Sequence, residues 1–197
     1  MICKKPEFKL DPRRTAIVVN DLQVSNNSYP GAPLPRPTMT SNILRLLAAG
    51  RAAGAQLILV HSGGAPDGVD RPKPTADSPF KPLAPLPPDW SELIPELNRQ
   101  PEDIVILKRQ WGAFYGTDLD LQLRRRGLKT IVSCGIATEI GVESTARDAF
   151  ERGYELVFAS DAMTGIDAEC HTNSIERIFP RIGRVRTTDE VIFALEP

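Results

Sequence analysis

The chain is poor in the residues that build metal sites and disulfide frameworks. Among its 197 residues it has three cysteines, Cys3, Cys134 and Cys170, and two histidines, His61 and His171. The cysteines are widely spaced, odd in number and form no C-x-x-C pair, so neither a zinc site nor a disulfide framework is expected. We therefore expect three plain thiols and no cofactor.

No charge of one sign dominates, and no long apolar run is present. Lysine and arginine together number 24, against 25 aspartates and glutamates. This balance excludes a bulk attraction to nucleic acid or to an anionic membrane surface. No apolar stretch approaches the length of a membrane span, and the amino terminus lacks the apolar segment of a signal peptide. These absences predict a cytoplasmic protein that binds neither nucleic acid nor membrane.

What the chain does contain is a regular alternation of apolar runs and helical patterns. Residues 1–197 suffice for one domain, and its core is predicted at about 13–195. The short apolar runs predict buried strands, and the stretches of helical periodicity between them predict helices. The strands are predicted at 15–20, 56–60, 103–107, 129–134, 154–158 and 184–186. The helices are predicted at 41–54, 118–126, 138–152 and 168–179, and a last one opens at 188–190. Such alternation is typical of an α/β fold with a parallel sheet covered by helices on both faces.

Residues 62–89 interrupt this alternation with a segment dense in proline and glycine. It is too long for a plain connection between two elements. It is either a surface excursion, or a loop that walls the active site or contacts another subunit. The pattern does not decide between these interpretations.

Three places at predicted strand ends could carry chemistry. Asp21 follows the first strand directly, and Lys108 follows the third. Ligands of parallel sheets bind at the carboxyl ends of the strands, so both residues could contact a ligand. Alternatively, the aspartate accepts hydrogen bonds from loop amides, and the lysine is a solvated surface charge. In residues 131–149 an apolar run ends at a small turn and passes into a helix, which places backbone N–H groups at the mouth of such a site.

The motifs around these places resemble those of the isochorismatase-like hydrolases, also called the cysteine hydrolase superfamily. The matching motifs are Asp-Leu-Gln at 21–23, Lys108 followed by aromatic and small residues and Gly-Thr-Asp-Leu at 116–119, and the segment 135–148. The resemblance spans about residues 13–195. It implies a three-layer α/β/α Rossmann-like fold with a six-stranded parallel sheet of order 3-2-1-4-5-6. It also implies a small-molecule substrate and a homodimer or larger even homo-oligomer.

The resemblance implies that Asp21 and Lys108 are catalytic and that Gly141 occupies the position of the family's nucleophilic cysteine. The matches on both sides of Gly141 fix this register. Cys134 does not easily substitute, because it ends a buried strand seven positions earlier. The chain therefore has the frame of a cysteine hydrolase without its nucleophile.

The resemblance also suggests substrate contacts and a backbone feature. The candidates for substrate binding are Gln23, Trp111, Phe114, Tyr115 and Ala137, although the three aromatic residues could equally pad the start of a helix. Family members commonly carry a cis peptide bond at the position of Ile136–Ala137. The family's metal-binding arm uses an aspartate and two histidines between the second and third strands, where this chain has only His61, so we expect no metal.

Three interpretations of the function remain open. The first is a cysteine-independent hydrolase of a vinyl ether such as isochorismate, in which Asp21 acts as general acid and Lys108 holds an anionic substrate. The second is a catalytically weakened member used for binding or assembly. The third is a Cys-to-Gly form of a cysteine amidohydrolase that acts on a small amide. The flank after Gly141 is closer to the amidohydrolases, and residues 137–139 differ from the tyrosine and histidine that isochorismatases tend to carry there.

Overall fold

The computed structural model of the chain describes residues 8–79 and 85–196. The interpretation of Cys3 as a plain thiol falls outside the described residues. The same is true of residues 80–84 in the proline-rich excursion.

Six parallel strands form one sheet whose order is β3-β2-β1-β4-β5-β6, as the resemblance implies. The central strand β1 is buried along its whole length, because strands pair on both of its edges and helices cover both faces. The strands are β1 Thr15–Asn20, β2 Gln56–Ser62, β3 Ile104–Lys108, β4 Thr130–Ile136, β5 Glu155–Thr164 and β6 Arg184–Arg186.

Helices cover the two faces of this sheet and complete the three layers. Alternate residues of β1 divide between two apolar clusters: Ile17 faces α1 and α6, whereas Val18 faces α2, α3 and α5. The helices are α1 Arg36–Ala53, α2 Leu119–Arg125, α3 Glu143–Glu151, α4 Ala168–Asn173, α5 Phe179–Ile182 and α6 Thr188–Leu195. Within the described residues, no helix combines the length and the apolar character that a membrane crossing requires.

Several element boundaries differ from the sequence-based prediction. Helix α1 begins five residues early, at Arg36, because Pro37 occupies one of its first two positions, where a missing N–H costs nothing. Strand β5 runs to Thr164 rather than to residue 158, because β4 bends at a register shift and pairs with it again beyond the bend. The predicted helix 138–152 starts with one turn of π-helix, Thr138–Val142, here called the π-turn, and continues as α3.

The bend of β4 depends on Gly135, beside the end of β1. Its φ is +118°, and a Cβ at this position would lie 2.1 Å from the carbonyl oxygen of Asn20. Both the backbone conformation and the close approach therefore require glycine here. Gly127, after α2, has a φ of +67°, but a Cβ added there would have no neighbouring atom within 4 Å.

We expect Gly135→Ala to lower the free energy of unfolding by at least about 2 kcal/mol, because the new methyl group collides with backbone. Gly127→Ala is the matched control and should cost only about 1 kcal/mol, which is the effect of its positive φ alone. Urea denaturation of the two variants beside the wild type measures the difference. Equal losses in the two variants would show that β4 can relax away from Asn20.

Candidate active site

A buried ion pair joins the ends of β1 and β3. Lys108 Nζ lies 2.6 Å from Asp21 Oδ2, and the lysine side chain is only 1% exposed. Nζ also donates a hydrogen bond of 2.6 Å to the carbonyl oxygen of Trp111. A buried ammonium is tolerated only where acceptors compensate the loss of water, and these two oxygens do so.

Contacts from three directions hold Asp21 in an unusual backbone conformation. Its φ is +53°, in the left-handed region that non-glycine residues rarely adopt. Its N–H donates to the carbonyl oxygen of Val60, and its own carbonyl oxygen accepts from Asn26 Nδ2 at 2.6 Å. Ser62 Oγ donates to Asp21 Oδ1 at 2.9 Å. The surroundings thus fix the direction of the carboxylate, as is common where strained residues serve a site.

Gly141 completes the cluster from the π-turn that follows β4. A Cβ built on Gly141 would lie 2.8 Å from Asp21 Oδ2 and 3.1 Å from Lys108 Nζ. The structure therefore brings together the three residues that the strand-end argument singled out, at the carboxyl edge of the sheet. Because Gly141 has no side chain, space remains there for one atom in contact with both charged groups.

A small pocket of about 180 Å³ opens over this cluster. Its floor is charged, and most of its walls are apolar, so polar interactions inside it are strengthened by exclusion of water. Besides the three cluster residues it is lined by Asn26, Tyr29, Trp111, Ile136, Ala137, Ile140 and Ile166. The peptide bond between Ile136 and Ala137 is cis, as the resemblance implies.

The three aromatic candidates after β3 lie in different surroundings. Trp111 lines the pocket and is 60% exposed. Phe114 is instead buried in the apolar core, where its ring packs against Tyr154 and under the guanidinium of Arg152. Tyr115 is 77% exposed and does not line the pocket. Neither Phe114 nor Tyr115 lines this pocket, because the turn before α2 directs one inward and the other to solvent, and their contact with substrate stays a prediction.

The side-chain amide of Gln23 forms its hydrogen bonds with other groups of the protein. Nε2 donates to the carbonyl oxygens of Ser62 and Trp90 and to Ser25 Oγ, while Oε1 accepts from the N–H of Ser62. The side chain is buried, so it holds the end of β2 against the return of the excursion rather than reaching the pocket over Gly141. Its hydrogen bond with Ser62, which bonds Asp21, links it to the site, and its contact with substrate stays a prediction.

Sequence reasoning missed several residues of the site. Ser62 ends β2, and the same strand-end rule that selects Asp21 and Lys108 selects it too. Asn26 lies in the turn after β1, and Ile166 follows β5, whose extension to residue 164 the apolar pattern did not predict. Glu139 holds the Ile166 segment, because Oε1 accepts from the backbone N–H groups of Ile166 and Asp167.

None of the cysteines and histidines that the structure describes lines this pocket. Cys134 is buried in β4, and burial raises the pKa of its thiol to about 12. Cys170 is exposed and free. His171 is buried beside Thr138, and burial lowers the pKa of its imidazole. His61 Nδ1 lies 2.6 Å from the carbonyl oxygen of Ser91. Across residues 8–79 and 85–196, no group of three or more metal-ligating side chains converges, and the absence of a metal stays a prediction.

The excursion after β2 walls a second, larger chamber next to this pocket. This outer chamber has a volume of about 740 Å³ and shares Asn26, Tyr29 and Trp111 with the pocket. The described part of the excursion contributes Arg71, Lys73 and Leu86 among others, and Trp90 follows it directly. Of the two interpretations left open for residues 62–89, the described residues favour a wall of the site.

Comparisons with known proteins agree with this geometry. The family model described as "Isochorismatase domain" matches residues 15–190. The chain is 47% identical over 188 residues to an uncharacterized isochorismatase family protein, YecD, of Escherichia coli O157:H7, covering 95% of this chain and 100% of that one. It is 35% identical to the ureidoacrylate amidohydrolase RutB of Methylobacterium radiotolerans, covering 80% of this chain and 70% of that one.

A solved structure of an isochorismatase family protein from Burkholderia thailandensis shares the fold over nearly the whole length. The TM-score is 0.87 at 43% identity, with 96% of this chain and 98% of that chain covered. With the family model matched over most of the chain and the strand order and strand-end cluster in place, the chain belongs to the isochorismatase family of hydrolases.

Proposed function

We propose that this chain is a cysteine-independent hydrolase of small acidic vinyl ethers, with Asp21 as the group that moves the proton. The observation that carries the proposal is the space beside Gly141. A Cβ built on this residue would lie 2.8 Å from Asp21 Oδ2 and 3.1 Å from Lys108 Nζ, and no side chain occupies that space. A reacting carbon or a water oxygen at that position contacts both an acid–base group and a cation.

Vinyl ether cleavage needs a proton on carbon and then water, and no covalent bond to the protein. Asp21 as the acid gives its proton to the terminal carbon of the double bond, which leaves an oxocarbenium ion. Water adds to the cationic carbon and returns a proton to the Asp21 carboxylate. The hemiketal then collapses to a ketone and an alcohol. The chain supplies one proton and regains one, so the reaction balances as hydrolysis.

Lys108 is the reason that we expect an acidic substrate. In the structure Lys108 and Ser62 both donate to the Asp21 carboxylate. A substrate carboxylate that takes over the Lys108 ammonium removes one of these donors. Asp21 Oδ2 is then free to face the reacting carbon, so binding of an acidic substrate prepares the general acid.

Cys134 and Thr145, two candidate nucleophiles among the described residues, are both poorly placed for covalent chemistry. The Cys134 thiol is buried, and with its pKa raised to about 12 it forms little thiolate at neutral pH. Thr145 Oγ1 donates to the carbonyl oxygen of Gly141 at 2.7 Å and is buried in the helix. These contacts favour a reaction that needs no acyl-enzyme.

A small amide remains the second candidate substrate, because a relative at 35% identity is named as a ureidoacrylate amidohydrolase. On that view the chain is a weakened amidohydrolase, or a Cys-to-Gly form of one, and its frame binds an amide that it hydrolyses slowly or not at all. Loss of a nucleophile typically lowers turnover by several orders of magnitude.

The test is a turnover screen of the purified chain against isochorismate, simpler pyruvate enol ethers and small amides that include ureidoacrylate. We expect release of pyruvate from at least one enol ether and no measurable ammonia from the amides. Amide hydrolysis without enol-ether cleavage contradicts the proposal. Inactivity towards every substrate also contradicts it and favours the non-catalytic interpretation.

A further inference from the structure

One wall of the pocket over Gly141 is a short segment that follows β5. Ile166 in this segment lines the pocket and is 40% exposed, and α4 begins two residues later. Gly165, just before it, is fixed to the loop after β1, because its N–H and its carbonyl oxygen each form a hydrogen bond of 2.9 Å with the backbone of Ala32. The position of Ile166 over the pocket then depends on what holds the backbone between Gly165 and α4.

Glu139 holds that backbone from the π-turn. Its Oε1 accepts hydrogen bonds from the N–H groups of Ile166 at 2.8 Å and of Asp167 at 3.3 Å. Its Oε2 lies close to Gly165, where an added Cβ would be only 2.4 Å from it. Hydrogen bonds to a charged acceptor are stronger than those between neutral groups, so this one carboxylate fixes the direction of the segment.

A second contact ties the same region to the π-turn. His171 on α4 is buried, and its Nδ1 lies 2.8 Å from Thr138 Oγ1. Thr138, Glu139 and Gly141 all belong to the π-turn. The wall and the space beside Gly141 are therefore held by the same turn of backbone, which fixes the distance between them.

The wall is apolar where it meets the pocket. Ile166 after β5 and Ile140 on the π-turn both line a pocket of only about 180 Å³. A branched side chain held by a fixed backbone cannot move aside for extra bulk without strain. The pocket therefore accepts a group up to the size that Ile166 permits.

We propose that Ile166 sets the size limit for the substrate group beside the reacting bond, and that Glu139 is the positioning residue that keeps Ile166 in place. The inference rests on the proposed function for the reacting bond and narrows its substrate class. The substrate is then a small acid whose group next to the reacting bond is compact and makes apolar contacts. Glu139 acts through the backbone of Ile166 and does not itself line the pocket.

Amide hydrogen exchange, measured residue by residue by NMR, tests the positioning role. In Glu139→Ala the amides of Ile166 and Asp167 should exchange about tenfold faster than in the wild type, because they lose a charged acceptor. Glu139→Gln still presents an oxygen to these amides and should restore most of the protection. Glu176→Ala is the matched control: it removes the same charge from an exposed position in the turn after α4, Ser174–Ile178, and should leave both amides unchanged.

Binding of small monocarboxylates tests the size limit. Acetate, propionate, isobutyrate and pivalate carry the same charge and differ in the bulk beside it, and the amide shifts of Ile140 and Ile166 report their binding. In the wild type we expect pivalate to bind about tenfold more weakly than the best of the smaller acids. Ile166→Ala and Glu139→Ala should remove this penalty, whereas Glu139→Gln and Glu176→Ala should keep it.

Thermal unfolding of each variant, together with the exchange of amides in β1, establishes that a change is confined to the wall. A penalty for pivalate that persists in Ile166→Ala would overturn the size limit, and so would the absence of saturable shifts with all four acids. A penalty that persists in Glu139→Ala, or unchanged exchange of Ile166 in that variant, would overturn the positioning role.

Exchange and binding are both measured without turnover, so this inference and the proposed reaction can fail separately. A size limit that depends on Ile166 and Glu139, in a chain that cleaves no vinyl ether, leaves the wall standing and removes only the reaction. Cleavage of a vinyl ether with no role for Ile166 in selecting the acid has the opposite meaning.

Discussion

Asp21→Asn is expected to lower kcat on an acidic vinyl ether by about 10³-fold, since general acid–base groups typically contribute 10²- to 10⁴-fold. Asparagine keeps the size of the side chain and can still accept a hydrogen bond from Ser62, but it can neither deliver nor regain the proton. KM should change much less than kcat, because Lys108 remains to engage the substrate carboxylate. Steady-state release of pyruvate measures both constants.

Two controls separate chemistry from folding in this experiment. The substitution leaves Lys108 buried without its carboxylate partner, and such a charge costs stability. Thermal unfolding and the far-UV circular dichroism spectrum therefore establish that Asp21→Asn is folded. Asp118→Asn removes the same charge from an exposed position at the start of α2 and should retain full turnover. A kcat within threefold of the wild type in Asp21→Asn would remove Asp21 from the mechanism.

Gly141→Cys is expected to exchange one activity for another. The new Cβ lies next to Asp21 Oδ2 and Lys108 Nζ, and a thiol beside an ammonium loses its proton more readily. We expect position 141 to become the fastest-alkylated cysteine of the chain at neutral pH. Hydrolysis of a small amide should rise about 10²-fold or more above the wild type, since an activated nucleophile is then present. Turnover of the vinyl ether should fall, because the thiol fills the space that the reacting carbon needs.

Gly141→Ala is the control that separates the thiol from the space it occupies. Its methyl group meets the Asp21 carboxylate at 2.8 Å unless that group moves by a few tenths of an ångström, so vinyl ether turnover should fall as it does in Gly141→Cys. No amidase activity should appear. Amidase activity in Gly141→Cys alone supports an amide-binding frame. Undiminished vinyl ether turnover in both variants would show that the position beside Gly141 is not where the substrate reacts.

Much of the fold could be predicted because it follows from local pattern. Apolar runs alternating with helical periodicity are sufficient to identify the strands of a parallel sheet, since its central strands β1 and β4 are buried on both faces. The position of Asp21 and Lys108 at strand ends then predicts that they meet, because the carboxyl ends of parallel strands share one edge. The structure places Lys108 Nζ 2.6 Å from Asp21 Oδ2. The strand order came from resemblance, because periodicity alone does not specify which strands are neighbours.

The sequence by itself therefore determined the α/β class, the family and the glycine at position 141, since the first follows from local periodicity and the other two from short motifs in the chain. Only the tertiary structure decided which aromatic side chain meets the pocket, because Phe114 and Tyr115 are adjacent in sequence and α3 with its neighbours buries just one of them. It likewise decided that Arg71 lies on Trp90 beside the site. Those two residues are separated by a proline-rich segment without periodicity, and no local pattern predicts where such a segment returns.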